Sequence, residues 1–328
     1  MARKLRVEYP GAIQHVLNRG NYRYDVFADD STKRSFEICL FEACERSNWI
    51  LHAFIVMRNH YHLALETPDA NLITGMQWLQ STFASRFNRF RCENGHLFQG
   101  RYKAILTEEG KTLGEVCDYI HLNPVKAGIV PANRLPTYRF SSYWYLHQPE
   151  MRPKFLRPQT GLECACGVGD SPRGWAQYAK LLELESASML ATAGWKKRDR
   201  ALCRGWAIGG DEFKARLVKE YSLAGELRSS DEVGVREVRL IQWDTILQKG
   251  LHALGRSNED ALVQPKSAPW KLALAAWMKT RTQVSNHWLT AKLNLGVPTA
   301  VSHNLTGYRR SLQSTDPSWK RLTTVYLA

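Results

Sequence analysis

His60 and His62 are separated by one residue, and this spacing is the first sign of chemistry in the 328-residue chain. On a β-strand the two-residue period sends both imidazoles to one face and Tyr61 to the other. Two imidazoles side by side can hold a divalent ion. With ten histidines in the chain, two half-exposed strand histidines remain the simpler reading of that pair alone. A second constellation is the run CDYIHLNP at 117–124. Read as a helix, it stacks Tyr119 and Asn123 on one face at i and i+4, with Asp118 beside the tyrosine. Such a face offers a phenol nucleophile together with an amide oxygen able to join two imidazoles around a cation. Pro124 marks where the helix tightens or stops, because proline has no N–H to give the helical ladder.

These groups need a scaffold, and the hydrophobic pattern supplies one. The apolar run 12–18 reads as a strand that ends at the turn Arg19-Gly20. Asp29, Asp30 and Ser31 open a helix to about residue 46, with Phe36, Leu40, Phe41 and Cys44 on one face. Residues 51–57 and 60–66 form a hairpin about Arg58-Asn59. Helix 72–90 carries an apolar stripe of Leu72, Met76, Leu79, Phe83, Phe87 and Phe90, a strand lies within 100–107, and a helix runs from about 112 to 126. The order β-α-β-β-α-β plus a trailing helix predicts an α+β fold, a ferredoxin-like antiparallel sheet with helices on one face. Residues 131–172, rich in proline and aromatic side chains, read as an irregular wrap over the core or a linker. Breaks at 229–234 and near 255–268 set off a final helical unit. The expected domains are therefore 1–150 (catalytic), 151–260 (a basic, mostly helical linker region) and 261–328.

Four strings, YPGAIQHVLNRG (9–20), MRNHYHLALETP (57–68), GHLFQGRYKAIL (95–106) and CDYIHLNPVKAGIV (117–130), resemble the REP-associated tyrosine transposases. Those are relatives of the single-strand insertion-sequence transposases in the HUH (histidine, hydrophobic residue, histidine) superfamily. The likeness covers about residues 3–145 and departs at Arg58, where the family pattern has proline, a change to the hairpin turn and not to a ligand. It implies that His60, His62 and Asn123 bind Mg²⁺ or Mn²⁺ and that Tyr119 attacks a DNA phosphate. The product would be a 5′-phosphotyrosine and a free 3′-hydroxyl, a covalent intermediate that conserves the bond for rejoining. A rolling-circle initiator or relaxase shares the histidine pair, but YIHLNPVKAG favours the transposase. A non-catalytic DNA-binding regulator would be expected to have lost at least one of the four site residues.

Other residues could grip DNA. Asn18 and Arg19 close the first strand and serve equally as a structural turn. Arg101 and Lys103 alternate on a strand, as phosphate contacts or as a solvated face. Arg86, Arg89 and Arg91 fit a solvated helix face better. His15 reads as a core residue and Tyr102 as a packed rival nucleophile. At the C-terminus, helices at about 271–280, 286–293 and from Thr299 suggest a helix-turn-helix, with Ala291, Gly296 and Val301 as its small residue, turn and core contact. Thr299, Ser302 and His303 would then face a duplex groove, with Arg309 and Arg310 on phosphates. Net charge is +14. Residues 1–150 hold 18 Lys and Arg against 15 Asp and Glu, so most of the surplus lies beyond them and suits a polyanion. No signal peptide or membrane span is expected. Seven cysteines without paired spacing suggest reduced thiols and a cytoplasmic, nucleoid-associated protein. Monomer and dimer remain equally open.

Overall fold

The computed structural model describes residues 8–221, 232–311 and 313–325. Its first elements are β1 (Ala12–Arg19), α1 (Asp30–Ser47), β2 (Ile50–Val56), β3 (His60–Thr67), α2 (Leu72–Arg91), β4 (Lys103–Thr107), α3 (Lys111–His121) and α4 (Asn123–Lys126). The sheet order is β2-β3-β1-β4-β5. The first four strands pair antiparallel, which is the expected ferredoxin-like core. Local chemistry sets the boundaries. The Asp29 carboxylate accepts the Thr32 N–H at 2.8 Å, capping α1, and Asn48 closes that helix in the left-handed region at φ 52°.

Alternation along β3 divides the site from the core. Tyr61 points toward α1 and α2, its ring 4.7 Å from Phe36. His62 points to the opposite face, where the Tyr119 ring of α3 lies 5.5 Å away. The trailing helix thus covers the face that α1 and α2 leave open. Phe90 departs from the expected stripe: it is 75% exposed, and the buried stripe of α2 ends at Phe87.

The chain continues through α5 (Ser142–Leu146), α6 (Gln159–Cys166), α7 (Pro172–Ala191), α8 (Trp195–Leu202), β5 (Ala207–Ile208) and α9 (Asp211–Tyr221). Residues 131–172 wrap over the core and are no mere linker. Tyr143, Leu146 and Leu162 bury with Tyr178 and Leu182 of α7 in a second small core. Their prolines interrupt periodicity but leave the aromatic side chains free to pack. β5 pairs parallel with β4; at two residues it is too short to show a sequence period.

The chain separates into two compact units, 1–235 and 236–328, where the sequence suggested boundaries near 150 and 260. Of the expected break at 229–234, residues 229–231 lie outside the described residues, and the rest belongs to α10 (Glu232–Leu254). The second unit continues with α11 (Asn258–Val263), α12 (Pro269–Arg281), α13 (Asn286–Leu293), α14 (Pro298–Ser311) and α15 (Pro317–Thr323). Val301, Leu305 and Tyr308 form the buried face of α14. Thr299, Ser302, His303, Arg309 and Arg310 are all exposed, with the Ser302 hydroxyl accepting from Asn286 Nδ2 at 2.9 Å. Gly296 takes φ 87° in the turn between α13 and α14. Ala291, the expected small residue, is exposed, whereas Val301, the expected core contact, is buried. Among the described residues no helix is long and apolar enough to cross a membrane.

Candidate active site

Strand register decides which side chains meet. Arg19 lies across from His60, Leu17 across from His62, and His15 across from Ala64. On the other side of β1, Leu17 faces Lys103 and His15 faces Ile105. Residues opposite each other in a sheet share a face, so the two histidines of β3 share theirs with Arg19, His15 and Lys103. The result is an open cleft of about 830 Å³, lined by His60 and His62 and by five cations: Arg19, Arg23, Arg101, Lys103 and Arg204. Arg19 donates from Nε to Gln99 Oε1. Asn18 also lines the cleft, but its side chain is committed to the fold: Nδ2 donates to Gly100 O at 3.3 Å and Oδ1 accepts from the Arg19 N–H at 2.9 Å.

The imidazoles of His60 and His62 have ring centroids 5.2 Å apart and nearly perpendicular planes. His60 Nδ1 donates to Asn59 Oδ1 at 2.7 Å, leaving Nε2 as an acceptor. His62 Nδ1 is occupied by His15 Nε2 at 2.9 Å. Asn123 spends Nδ2 on the carbonyls of Tyr119, at 2.9 Å, and Ile120, at 3.5 Å. Its Oδ1 is therefore the atom available to the His60 ring, with which its side chain interacts. Burial holds His60 at a pKa of about 4 and His62 well below the ordinary histidine value. Two neutral imidazole nitrogens and an amide oxygen are donors that a divalent cation accepts, so the side chains of His60, His62 and Asn123 fit a divalent ion. A second grouping, His15, His62 and Cys203, has ligand atoms within 4.8 Å of one another. Cys203 is a poor ligand here, because burial raises its pKa and its thiol already meets the Tyr119 hydroxyl at 3.2 Å.

Tyr119 is buried, 2% exposed. Its hydroxyl donates to Asp199 Oδ1 at 2.8 Å, and Lys126 Nζ approaches the phenol oxygen to 3.4 Å. Lys126 and Asp199 also form an ion pair. Burial, above all, raises the pKa of the phenol, and Cys203 and Asp199 add to it. The phenol is thus held in its protonated form, with a carboxylate acceptor and an ammonium beside it. Three members of this set, Lys126, Asp199 and Cys203, escaped the sequence reading. Lys126 was legible as i+7 from Tyr119 on the same helical face. Asp199 and Cys203, which share a helical spacing of i and i+4, lay in a stretch that read only as helical and basic.

Other expected residues lie elsewhere. Asp118, although adjacent to Tyr119, turns away and accepts the Tyr178 hydroxyl at 2.6 Å. Arg86 pairs with Glu42 and Arg91 with Asp29, which makes them surface ties of α2 to α1 and its cap. Tyr102 is buried, 5% exposed.

Residues 9–123 match the family model described as transposase IS200 like. A curated protein of Haemophilus influenzae that carries the name of a REP-associated tyrosine transposase is 26% identical over 129 residues, covering 34% of this chain and 73% of its own length. A solved structure of a REP-associated tyrosine transposase bound to a REP hairpin aligns over 47% of this chain and 89% of that one, at 18% identity and a TM-score of 0.39.

Proposed function

Taking as premise that residues 9–123 belong to the IS200-like transposase family, we propose that this chain cuts and rejoins single-stranded or hairpin DNA with Tyr119 as the nucleophile. The observation that supports it most is the Tyr119 ring packed 5.5 Å from that of His62, beside a cleft lined by five cations. In this reading His60, His62 and Asn123 hold Mg²⁺ or Mn²⁺. Such an ion, when bound, polarises the scissile phosphate and stabilises the charge that develops on it.

The protein groups do the rest. The cations of the cleft hold the strand by its phosphates. Tyr119 Oη forms a bond to phosphorus as the bond from phosphorus to the 3′ oxygen of the preceding nucleotide breaks. The phenol proton has its acceptor in Asp199 Oδ1 at 2.8 Å, and the departing 3′ oxygen takes a proton from solvent. Lys126, 3.4 Å from the phenol oxygen, stabilises negative charge there. The product is a 5′-phosphotyrosine that a 3′-hydroxyl can later attack to reseal the strand. The exposed face of α14, with Thr299, Ser302, His303, Arg309 and Arg310, serves as a duplex-binding surface after the turn at Gly296, in the manner of a helix-turn-helix.

Incubating an end-labelled hairpin oligonucleotide with Mn²⁺ and the protein tests the catalytic reading. A protein–DNA adduct that survives denaturation is expected for the wild type and not for Tyr119→Phe. Equal adduct from both proteins would reject Tyr119 as the nucleophile.

A further inference from the structure

His15 is fully buried on β1, with 0% exposure, and no role in the chemistry above uses it. Its partner directly across β3 is Ala64, which is small enough for the imidazole to lean diagonally toward His62. The two rings stack with centroids 5.1 Å apart. His15 Nδ1 lies 2.8 Å from the carbonyl oxygen of Leu202, and His15 Nε2 lies 2.9 Å from His62 Nδ1. Leu202 is the last residue of α8, so its carbonyl is one of those a helix end leaves without an intrahelical partner.

These contacts have a direction. A carbonyl oxygen only accepts, so His15 carries its proton on Nδ1. His15 is fully buried, where a charged imidazole is costly, and a neutral ring with its one proton on Nδ1 has a bare Nε2 that must accept. The proton between the rings therefore sits on His62 Nδ1, and the same neutrality empties His62 Nε2. Neutral histidine free in solution has no such constraint.

We infer that His15 is a positioning residue: it relays the orientation of the Leu202 carbonyl to His62, fixing the tautomer that presents Nε2 as a lone pair to a divalent cation. The inference rests on the reading of His62 as a ligand, and it brings α8, outside the family-matched residues 9–123, into control of that ligand. Outer hydrogen bonds of this kind fix ring orientation and are worth about 10–100-fold in metal affinity.

The test uses the full chain, labelled with ¹⁵N-histidine and free of metal, so that its first readout does not depend on activity. Long-range ¹H–¹⁵N correlation spectra at neutral pH should show His62 protonated on Nδ1. In His15→Phe, which nearly preserves ring volume, His62 should shift toward the Nε2-protonated form, and Mn²⁺ affinity followed by electron paramagnetic resonance should fall about 10–100-fold. His15→Gln, whose Oε1 can accept from His62 Nδ1, should recover both. A wild-type His62 protonated on Nε2 overturns the inference without any variant. So does a His15→Phe protein with unchanged tautomer and Mn²⁺ affinity. Wild type with the expected tautomer but no Mn²⁺ binding would instead overturn the cation site, and with it the purpose given to His15.

Discussion

Tyr119, Asn123 and Lys126 follow one another at helical spacing on a single face, and each meets a different need of the proposed chemistry. Lys126 is the clearest case for mutation, since its ammonium stands 3.4 Å from the phenol oxygen. Lys126→Ala should slow adduct formation roughly 100-fold, the scale of losing one preorganised donor where charge develops. Hairpin affinity should change far less, and single-turnover kinetics beside a binding isotherm separate the two; an unchanged rate would remove Lys126 from the site. Asp118 yields a pH prediction. Burial raises its pKa to about 7, although the Tyr178 hydroxyl opposes the shift. Between about pH 4 and 7 the unfolded chain loses this proton while the folded chain keeps it, so the group's contribution is full below the unfolded value and is lost as pH rises through the folded one. Asp118→Asn, which keeps an acceptor for Tyr178, should therefore gain melting temperature relative to wild type as pH climbs through that window. A difference independent of pH would contradict the raised value. Strand and helix periods, which are local, put His60 and His62 on one face and Tyr119 and Asn123 on another, while the roles given to them came from the resemblance. Asp199 was not legible, because only tertiary packing brings residue 199 to residue 119.

At the scale of elements, the site depends on where α3 sits. Gly114 lets α3 approach α6 closely: a Cβ there would lie 2.9 Å from the Cys164 carbonyl carbon and 3.0 Å from the Ala165 nitrogen. These are backbone atoms and cannot swing aside. Gly114→Ala should cost about 1–3 kcal/mol, the usual scale of overpacking, and should slow cleavage by displacing the helix that carries Tyr119. Denaturant melts and adduct yield check both, and a variant as stable and active as wild type would show the contact to be soft. The four antiparallel strands were readable as short apolar runs bounded by turns, and α1 and α2 by an apolar period of 3.6. Residues 131–172 were read as an irregular wrap over the core or a linker; their short helices went unseen because prolines hide the pattern of aromatic residues such as Tyr143 that bury against α7. Phe90 was misassigned because a stripe read from sequence does not reveal where the surface it packs against ends.

For the whole molecule, the two units divide the work in the proposed account. Every residue placed in the cleft belongs to unit 1–235, and the exposed basic face of α14 belongs to unit 236–328. Truncation after residue 235 should leave adduct formation on a hairpin oligonucleotide largely intact. It should also weaken duplex binding and flatten its dependence on salt, because fewer phosphates are neutralised. Unchanged duplex affinity and salt slope would remove α14 from DNA recognition. The sequence marked a polar break at 229–234 beside this division, although the domain boundary was placed at the second break, near 260.

The central claim is that the Tyr119 oxygen becomes bonded to DNA phosphorus, and peptide mapping of the trapped adduct tests it most directly. After digestion of protein and DNA, mass spectrometry should find the nucleotide phosphate on the peptide that contains Tyr119, and on no other tyrosine. A phosphate carried by a different residue, Tyr102 included, would contradict the account.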